Sequence, residues 1–519
     1  NKVSADGNCE TEVSSSRFVY LLEKKSQLPT LTQQRMESIR SAIQKQLLFL
    51  DAEMNQVESQ FESLLAGLPP QNRDSALNFL QYLVLRKHDI QELQHQLHVY
   101  GLSSLASCES HTHRQIQVTL ERLGVKPLHP AACTMEVGLQ KMESRSHRLF
   151  GLPRVSWPSS VMVTMDASFL QEKTQIESLL IHGMGVARIN CAHDSESVWL
   201  KMIEKIKLAS KKTGLPCKIH LDLAGPKIRT VLLKKGKEEG KAPIKKGGKI
   251  WLSDRGKGFA SKDVVVNPNE PGVVQALKVG ERVFFDDGLI LARVDKVTDR
   301  GVALIIERIS SKKPLLKAEK GINFPDSDLA VPSLTQFDLQ CLSFASTYAD
   351  TIGFSFVRKP EDLAHLRSEL SKYASVIPPI ILKIETQEAV IRLPELLLEG
   401  MKEPDFGVMI ARGDLAVEIG FERMGEIQEE ILWICEAAHV PVVWATQVLE
   451  SLNKSGMATR SEITDAGQSA NAECVMINKG DHTIEVMETL KDILQRSAEH
   501  RVKKRFRFRQ LKIAERFLK

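Results

Sequence analysis

"PPIILKIETQEAV" (residues 378–390) opens as an interior β-strand, with the apolar run Ile380-Ile381-Leu382. It then places Lys383 and Glu385 on either side of Ile384. Residues two apart in a strand point to the same side. The strand therefore aims a cation and an anion at one spot, which suits a place where it leaves the core.

Seven other short β-branched runs share this rhythm: "VMVTM" (161–165), "GVARIN" (185–190), "CKIHLD" (217–222), "DTIGFSF" (350–356), "GVMIA" (407–411), "PVVWA" (441–445) and "CVMIN" (474–478). Between most of them lies one amphipathic segment of helical length, such as "TQEAVIRLPELLLEG". Eight strands with intervening helices predict an α/β fold, a (β/α)8 TIM barrel. One connection breaks the rhythm, because roughly 125 residues separate the third and fourth strands. Residues 226–330 are rich in Gly, Lys and Val and read as short strands with turns, hence a small inserted β-barrel lid domain.

Residues 17–150 differ in style. "LTQQRMESIRSAIQKQLLFLDAEMNQVESQFESLLAGLPP" spaces its apolar residues by three and four and stops at Pro69-Pro70. "RDSALNFLQYLVLRKHDIQELQHQLHVYGL" repeats the pattern to Gly101, and "ESHTHRQIQVTLERLGV" supplies a third helix. His111 and His113 have the types of metal ligands, but positions two apart on a helix diverge, so a helix start is the better reading. The expected organisation is a helical extension over 1–157, barrel over 158–225 and 331–498, lid over 226–330, and a basic tail over 499–519.

The 519 residues allow two to four domains, and 42% hydrophobic with 26% charged residues is ordinary for a globular chain. No run approaches the roughly 20 apolar residues of a membrane helix, so no membrane span is expected. Eight cysteines lie far apart with no C-x-x-C, which argues against a zinc site and a disulfide framework and for a reducing compartment. The last 19 residues carry nine Lys/Arg and one Glu, so most of the chain is slightly acidic despite its overall charge of +5. "RFRFR" in that tail interleaves aromatic and cationic side chains, which suits single-stranded nucleic acid; a solvated terminal helix is the commoner cause of such a run. The non-Met start and Ser-rich front favour a plastid (chloroplast) location over a cytoplasmic one.

In a barrel of this kind the site lies at the C-terminal strand ends. Strand two ends in Arg188 and Asn190, with His193 following. Strand three ends in Asp222, before Lys227 and Arg229. Strand five ends in Lys383 and Glu385, strand six runs into Arg412-Gly413-Asp414, and strand seven ends at Thr446. Glu385 and Asp414, one βα unit apart, offer the paired oxygen donors that Mg²⁺ prefers. Arg188, Lys383 and Arg229 around such a metal suit a phosphorylated substrate. Any one of these charges has a bland explanation as a salt bridge at the barrel top; five polar strand ends together favour a site for phosphoryl transfer.

The segments "GVARINCAHD", "LDLAGPKIRT", "FDDGLI", "KGINFP", "LKIET", "ARGDLAVEI", "WATQVLES" and "TRSEITDAGQSA" resemble the pyruvate kinase family, in order and spacing, over about 158–498. The resemblance implies transfer of phosphate from phosphoenolpyruvate to ADP, giving pyruvate and ATP, in a homo- or hetero-oligomer. It implies that Arg188 binds the substrate phosphate and Lys383 stabilises the transferring group. Glu385 and Asp414 would hold Mg²⁺ (or Mn²⁺), Gly413 and Thr446 would contact substrate, and Arg229 and Lys320 would serve the nucleotide. Asp286-Asp287 would face the cleft from the lid.

The departures are as informative. The family's monovalent-cation site keeps Asn190 and Asp222, but Ala192 replaces a Ser and Leu223 a Thr. Lys227 stands where Lys accompanies independence from K⁺, and its ammonium is expected to replace the ion's charge beside Asn190 and Asp222, so K⁺ is expected to be dispensable. The turns after strands one and eight are altered to "TMDAS" and "INKGD". The family's C-terminal domain, with its effector site, is expected to be absent. These changes keep a second expectation open, a catalytically degenerate scaffold or regulatory subunit.

Overall fold

The computed structural model describes residues 15–131, 133–154, 157–171, 174–310, 313–502 and 505–506, and side chains from 34 to 499 within them. The Ser-rich front and the tail side chains proposed for nucleic acid lie outside these. The chain divides into two compact units, residues 1–62 with 77–135, and residues 63–76 with 136–519.

The first unit is helical. Helix Ser15–Gln60 buries Ile43, Leu47, Leu50, Met54 and Val57. Their alternating spacing of four and three makes one apolar stripe, which faces helices Gln91–Val99 and Thr112–Arg122. The expected single helix up to Gly101 is two, Pro70–Arg86 and Gln91–Val99. Asp89 causes the break by accepting the Gln91 N–H at 3.1 Å, an Asx turn that competes with helix. His113 is held by Asp51 at 2.8 Å and Gln81 at 3.1 Å, and His111 contacts Ser110, so the two diverge at the helix start as expected.

The second unit contains the closed parallel barrel. Its strands are β1 Ser160–Met165, β2 Met184–Asn190, β3 Lys218–Asp222, β4 Thr351–Phe354, β5 Ile380–Ile384, β6 Phe406–Ala411, β7 Val442–Ala445 and β8 Cys474–Ile477. They pair in chain order and β8 closes on β1. The strands are buried on both faces, as the near-continuous apolar runs require. Helix Met135–Phe150, which the sequence reading did not find, brings Leu149 and Phe150 into the interior cluster with Met162, Val186, Ile381 and Met409. The extension assigned to 1–157 thus includes a segment that completes the barrel core.

Between β3 and β4 stands a seven-stranded, mostly antiparallel sheet whose core includes Ile250, Leu252, Val266, Phe285 and Leu304. Its two ends meet side by side. Thr230 N donates to Lys320 O at 2.9 Å, Glu319 N to Thr230 O at 2.8 Å and Ile322 N to Ile228 O at 2.8 Å. At its barrel-facing turn, beside the returning crossing at Gly321, Asp286, Asp287 and Gly288 are all left-handed (φ 54, 51 and 84°). That conformation is unfavourable for the two aspartates. A Cβ on Gly288 would lie 3.1 Å from the Phe421 ring of the barrel, so the turn approaches closely there. Among the described residues no helix is long and apolar enough to cross a membrane.

Candidate active site at the barrel mouth

Strand register brings the polar ends together. Thr164, Arg188 and His220 align across β1, β2 and β3, and Asn190, Asp222 and Gly353 align across β2, β3 and β4. A Cβ on Gly353 would stand 2.2 Å from Asp222 Oδ1. Glycine there leaves the room that the carboxylate occupies.

Asp222 is fully buried and anchors two cations through one oxygen. Arg188 Nε donates to Asp222 Oδ2 at 2.9 Å, and Lys383 Nζ lies 3.3 Å from the same atom. Arg188 also donates to Thr164 Oγ1 at 3.0 Å. Lys383 reaches Glu385 Oε1 at 3.2 Å and Ser355 Oγ at 2.7 Å. Burial would push the Asp222 carboxyl up, but Lys383 and Arg188 hold it well below the carboxylate range. Burial would lower the Lys383 ammonium, but Asp222 and Glu385 outweigh it and raise its pKa. Glu385 moves upward, first through burial and then through Asp414, against the opposing pull of Lys383. Its Oε2 accepts the Phe356 N–H at 2.6 Å.

His220 lies beneath this layer. Its Nδ1 pairs with Thr351 Oγ1 at 2.9 Å, while Nε2, 4.0 Å from Asp222 Oδ1, has no hydrogen-bond partner. Burial pushes its pKa down to about 4, so the ring is neutral at pH 7. On the other side Thr446 Oγ1 accepts the Gly413 N–H at 2.9 Å. Arg412 stacks over Trp444 at 4.7 Å and bonds to Asp465 and to the Ala445 and Thr446 carbonyls, fixing that turn.

Lys227 differs from expectation. Its ammonium lies 3.0 Å from each Asp414 oxygen and 3.6 Å from Asp287 Oδ1 of the barrel-facing turn of the lid. It was expected to bring its charge to Asn190 and Asp222; the nearest strong anion after β3 is instead Asp414, and the long lysine stem reaches it. Burial opposes its charge, but Asp414 and Asp287 raise its pKa.

Arg188, Lys383, Asp222 and Glu385 are therefore in one contact network. Thr446 and Gly413 bond each other, and Asn190 Oδ1 accepts the Ala192 N–H at 3.1 Å. Arg229 and Lys320 lie at the lid base, where Arg229 donates to Glu319 O at 3.0 Å and Lys320 pairs with Asp286 at 2.9 Å. Among the described residues no hydrogen bond or ion pair joins either of them to the Lys383 cluster. Thr164, Ser355 and the Phe356 amide were missed, although Ser355 follows β4 directly and the strand-end rule would have found it.

No group of three or more His, Cys, Asp or Glu side chains poised for a metal occurs among the described residues. Glu385 and Asp414 nonetheless fit a hard cation that takes two protein carboxylates and completes its shell from water and substrate. Asp414 Oδ1 is buried and receives no hydrogen bond, and its one near cation is the Lys227 ammonium at 3.0 Å, among the described residues.

Residues 158–492 match the pyruvate kinase barrel domain. A pyruvate kinase of Thermotoga maritima is 33% identical over 61% of this chain and 66% of its own. Pyruvate kinase PKLR of Homo sapiens is 32% identical over 66% and 60%, and a pyruvate kinase of Geobacillus stearothermophilus 30% identical over 63% and 55%. The chain spans between about half and two-thirds of the length of these relatives. With a match over more than half of its residues, and with the barrel and inserted sheet in place, the chain belongs to the pyruvate kinase family.

Proposed function

We propose that the protein transfers the phosphoryl group of phosphoenolpyruvate to ADP. The bond from phosphorus to the enol oxygen breaks, a bond to a β-phosphate oxygen of ADP forms, and the enolate takes a proton at carbon to give pyruvate. The observation that carries this reading is the anchoring of Arg188 and Lys383 on one buried Asp222 oxygen at the barrel mouth. Two preorganised cations in a water-poor site stabilise charge on a moving phosphoryl group without reorganising.

Arg188 binds the phosphate, and Lys383 follows the charge from phosphoryl to enolate. Gly413 and Thr446 contact the substrate, and Arg229 and Lys320 meet the nucleotide when the lid swings over it. Mg²⁺ or Mn²⁺ held by Glu385 and Asp414 would neutralise phosphate charge. K⁺ is dispensable in this reading, because Asp222 already carries two cations and the Leu223 carbonyl is taken by the Ser355 hydroxyl at 2.7 Å.

A second reading, a catalytically inert pyruvate kinase-like subunit, is favoured by the Lys227 ammonium lying on both oxygens of Asp414. A coupled assay for pyruvate formation decides between them. Turnover with Mg²⁺ or Mn²⁺ is expected. Absence of turnover with either metal, with and without K⁺, would leave the inert reading; a rate strongly raised by K⁺ would refute its dispensability.

A further inference from the structure

Beside Asp414 lies a cavity of about 450 Å³. Both chain crossings between barrel and lid line it, Pro226–Ile228 outgoing and Ile322–Val331 returning, and helices after β5 and β6 close it. Its volume lies in the range of small-molecule pockets. Its wall is mixed: Ile228, Ile322, Phe324, Leu329 and Phe356 supply the apolar part, beside charged side chains that include Lys227, Arg358, Asp414 and Glu418.

One region of the lining is polar and incompletely satisfied. Asn323 is 94% buried, since its relative exposure is 6%. Its Nδ2 donates to Glu418 Oε1 at 3.1 Å, and its Oδ1 has no partner. Glu418 forms no ion pair among the described residues, and burial pushes its carboxyl up to about 7. The neighbouring cations are engaged elsewhere. Lys227 is on Asp414 and Asp287, Arg392 on Glu388, and Arg358 donates to the Leu329 and Val331 carbonyls. A buried acceptor without a donor is costly, and a partly buried carboxylate without a cation is costly too. Asn323 Oδ1 lacks a donor, and Glu418, which accepts the Asn323 amide, lacks a cation.

We propose that this hinge cavity is a binding site for a primary ammonium carried on a small apolar body. The ammonium has three donors, enough to serve Asn323 Oδ1 and the Glu418 carboxylate together. The apolar body covers Ile228, Ile322 and Phe324. Because both crossings of the lid form the walls, occupancy ties the lid base to the barrel and restrains its swing. The inference does not rest on the proposed phosphoryl transfer.

Binding is measured by calorimetry on the full chain with phenethylamine, against 2-phenylethanol and 3-phenylpropionate, which share its apolar body without the ammonium. Phenethylamine should bind, and each of the other two should bind at least about tenfold more weakly, as loss of a charge-assisted hydrogen bond predicts. Glu418→Gln, which keeps size and shape, should weaken phenethylamine by about tenfold or more. Hydrogen exchange at 226–232 and 318–331 should slow when the amine binds. Equal binding of the three compounds, no binding of the amine to wild type, or unchanged affinity in both Glu418→Gln and Asn323→Leu would overturn the proposal.

Discussion

Lys383 is held by oxygens of three kinds, the Asp222 and Glu385 carboxylates and the Ser355 hydroxyl. By size alone Lys383→Met is a gentle probe, since methionine fills similar space. In the structure the same change strips two buried carboxylates of a counter-ion. The expected outcome is a loss of activity of about a hundredfold or more, together with destabilisation of roughly 3 kcal/mol or more. Activity and urea denaturation of the purified variant check the two parts; unchanged denaturation would mean that solvent replaces the ammonium. A second residue-scale expectation concerns pH. His220 falls from 6.5 to about 4 on folding, so between those values the unfolded chain binds more protons, and stability is lost as pH falls. Glu418 rises from 4.5 to about 7, so the folded chain binds more protons there, and stability is lost as pH rises. The two slopes oppose each other across the overlap, pH 4.5 to 6.5. Glu418→Gln should therefore steepen the acid-side loss of stability by up to about 1.4 kcal/mol per pH unit relative to wild type. Parallel denaturation curves for both proteins across this window would show that Glu418 titrates normally.

At the scale of elements, the helix Arg412–Ile419 presents Asp414 to Lys227, and the barrel-facing turn of the lid adds Asp287. A tethered ammonium on a metal carboxylate competes with any metal that comes to it. Lys227→Met should tighten Mn²⁺ binding several-fold, whereas Glu385→Gln and Asp414→Asn should weaken it. Electron paramagnetic resonance of free Mn²⁺ reads this without turnover. Equal affinity in wild type and Lys227→Met would mean that the lysine swings away freely. Why this contact escaped the sequence reading is plain. A lysine stem spans several ångströms in any direction, so its partner depends on which loop folds over it. The barrel strands were legible, since each is a short apolar run ended by a polar residue. Helix Met135–Phe150 was not, because its buried face includes Gly138 and Arg145 among Met142 and Leu149. Arg145 spends its charge on the Ala438 and His439 carbonyls, which no periodicity count anticipates. Asp89 was a readable stop, standing three residues before Glu92 in the manner of a capping pair. The Lys383–Glu385 pair was readable for the opposite reason, since strand alternation alone fixes the side to which both point.

Across the whole molecule, the barrel is assembled from pieces remote in sequence, with the inserted sheet between β3 and β4. Those strands must pair, His220 beside Thr351 and Asp222 beside Gly353. The side-by-side feet of the lid bear on how that pairing is found. An unfolded connection of roughly 125 residues makes a wide loop, and closure cost grows with the logarithm of its length. Once the sheet has formed, Ile228 and Ile322 are bonded neighbours, and the effective loop between β3 and β4 shrinks to roughly 35 residues. By the same scaling, closure becomes easier by about 1 kcal/mol. The route to the native barrel should then run through the insertion. Leu304→Ala, which empties part of the lid core, should slow closure of the barrel in refolding although it touches no barrel residue. Stopped-flow fluorescence of Trp157, Trp199, Trp433 and Trp444, with Trp251 of the lid replaced by Phe, follows the barrel part of the chain. An unchanged refolding rate would place barrel closure before lid formation. A slowed one would make the inserted domain a kinetic short circuit, a segment whose own folding brings distant parts of its host within reach.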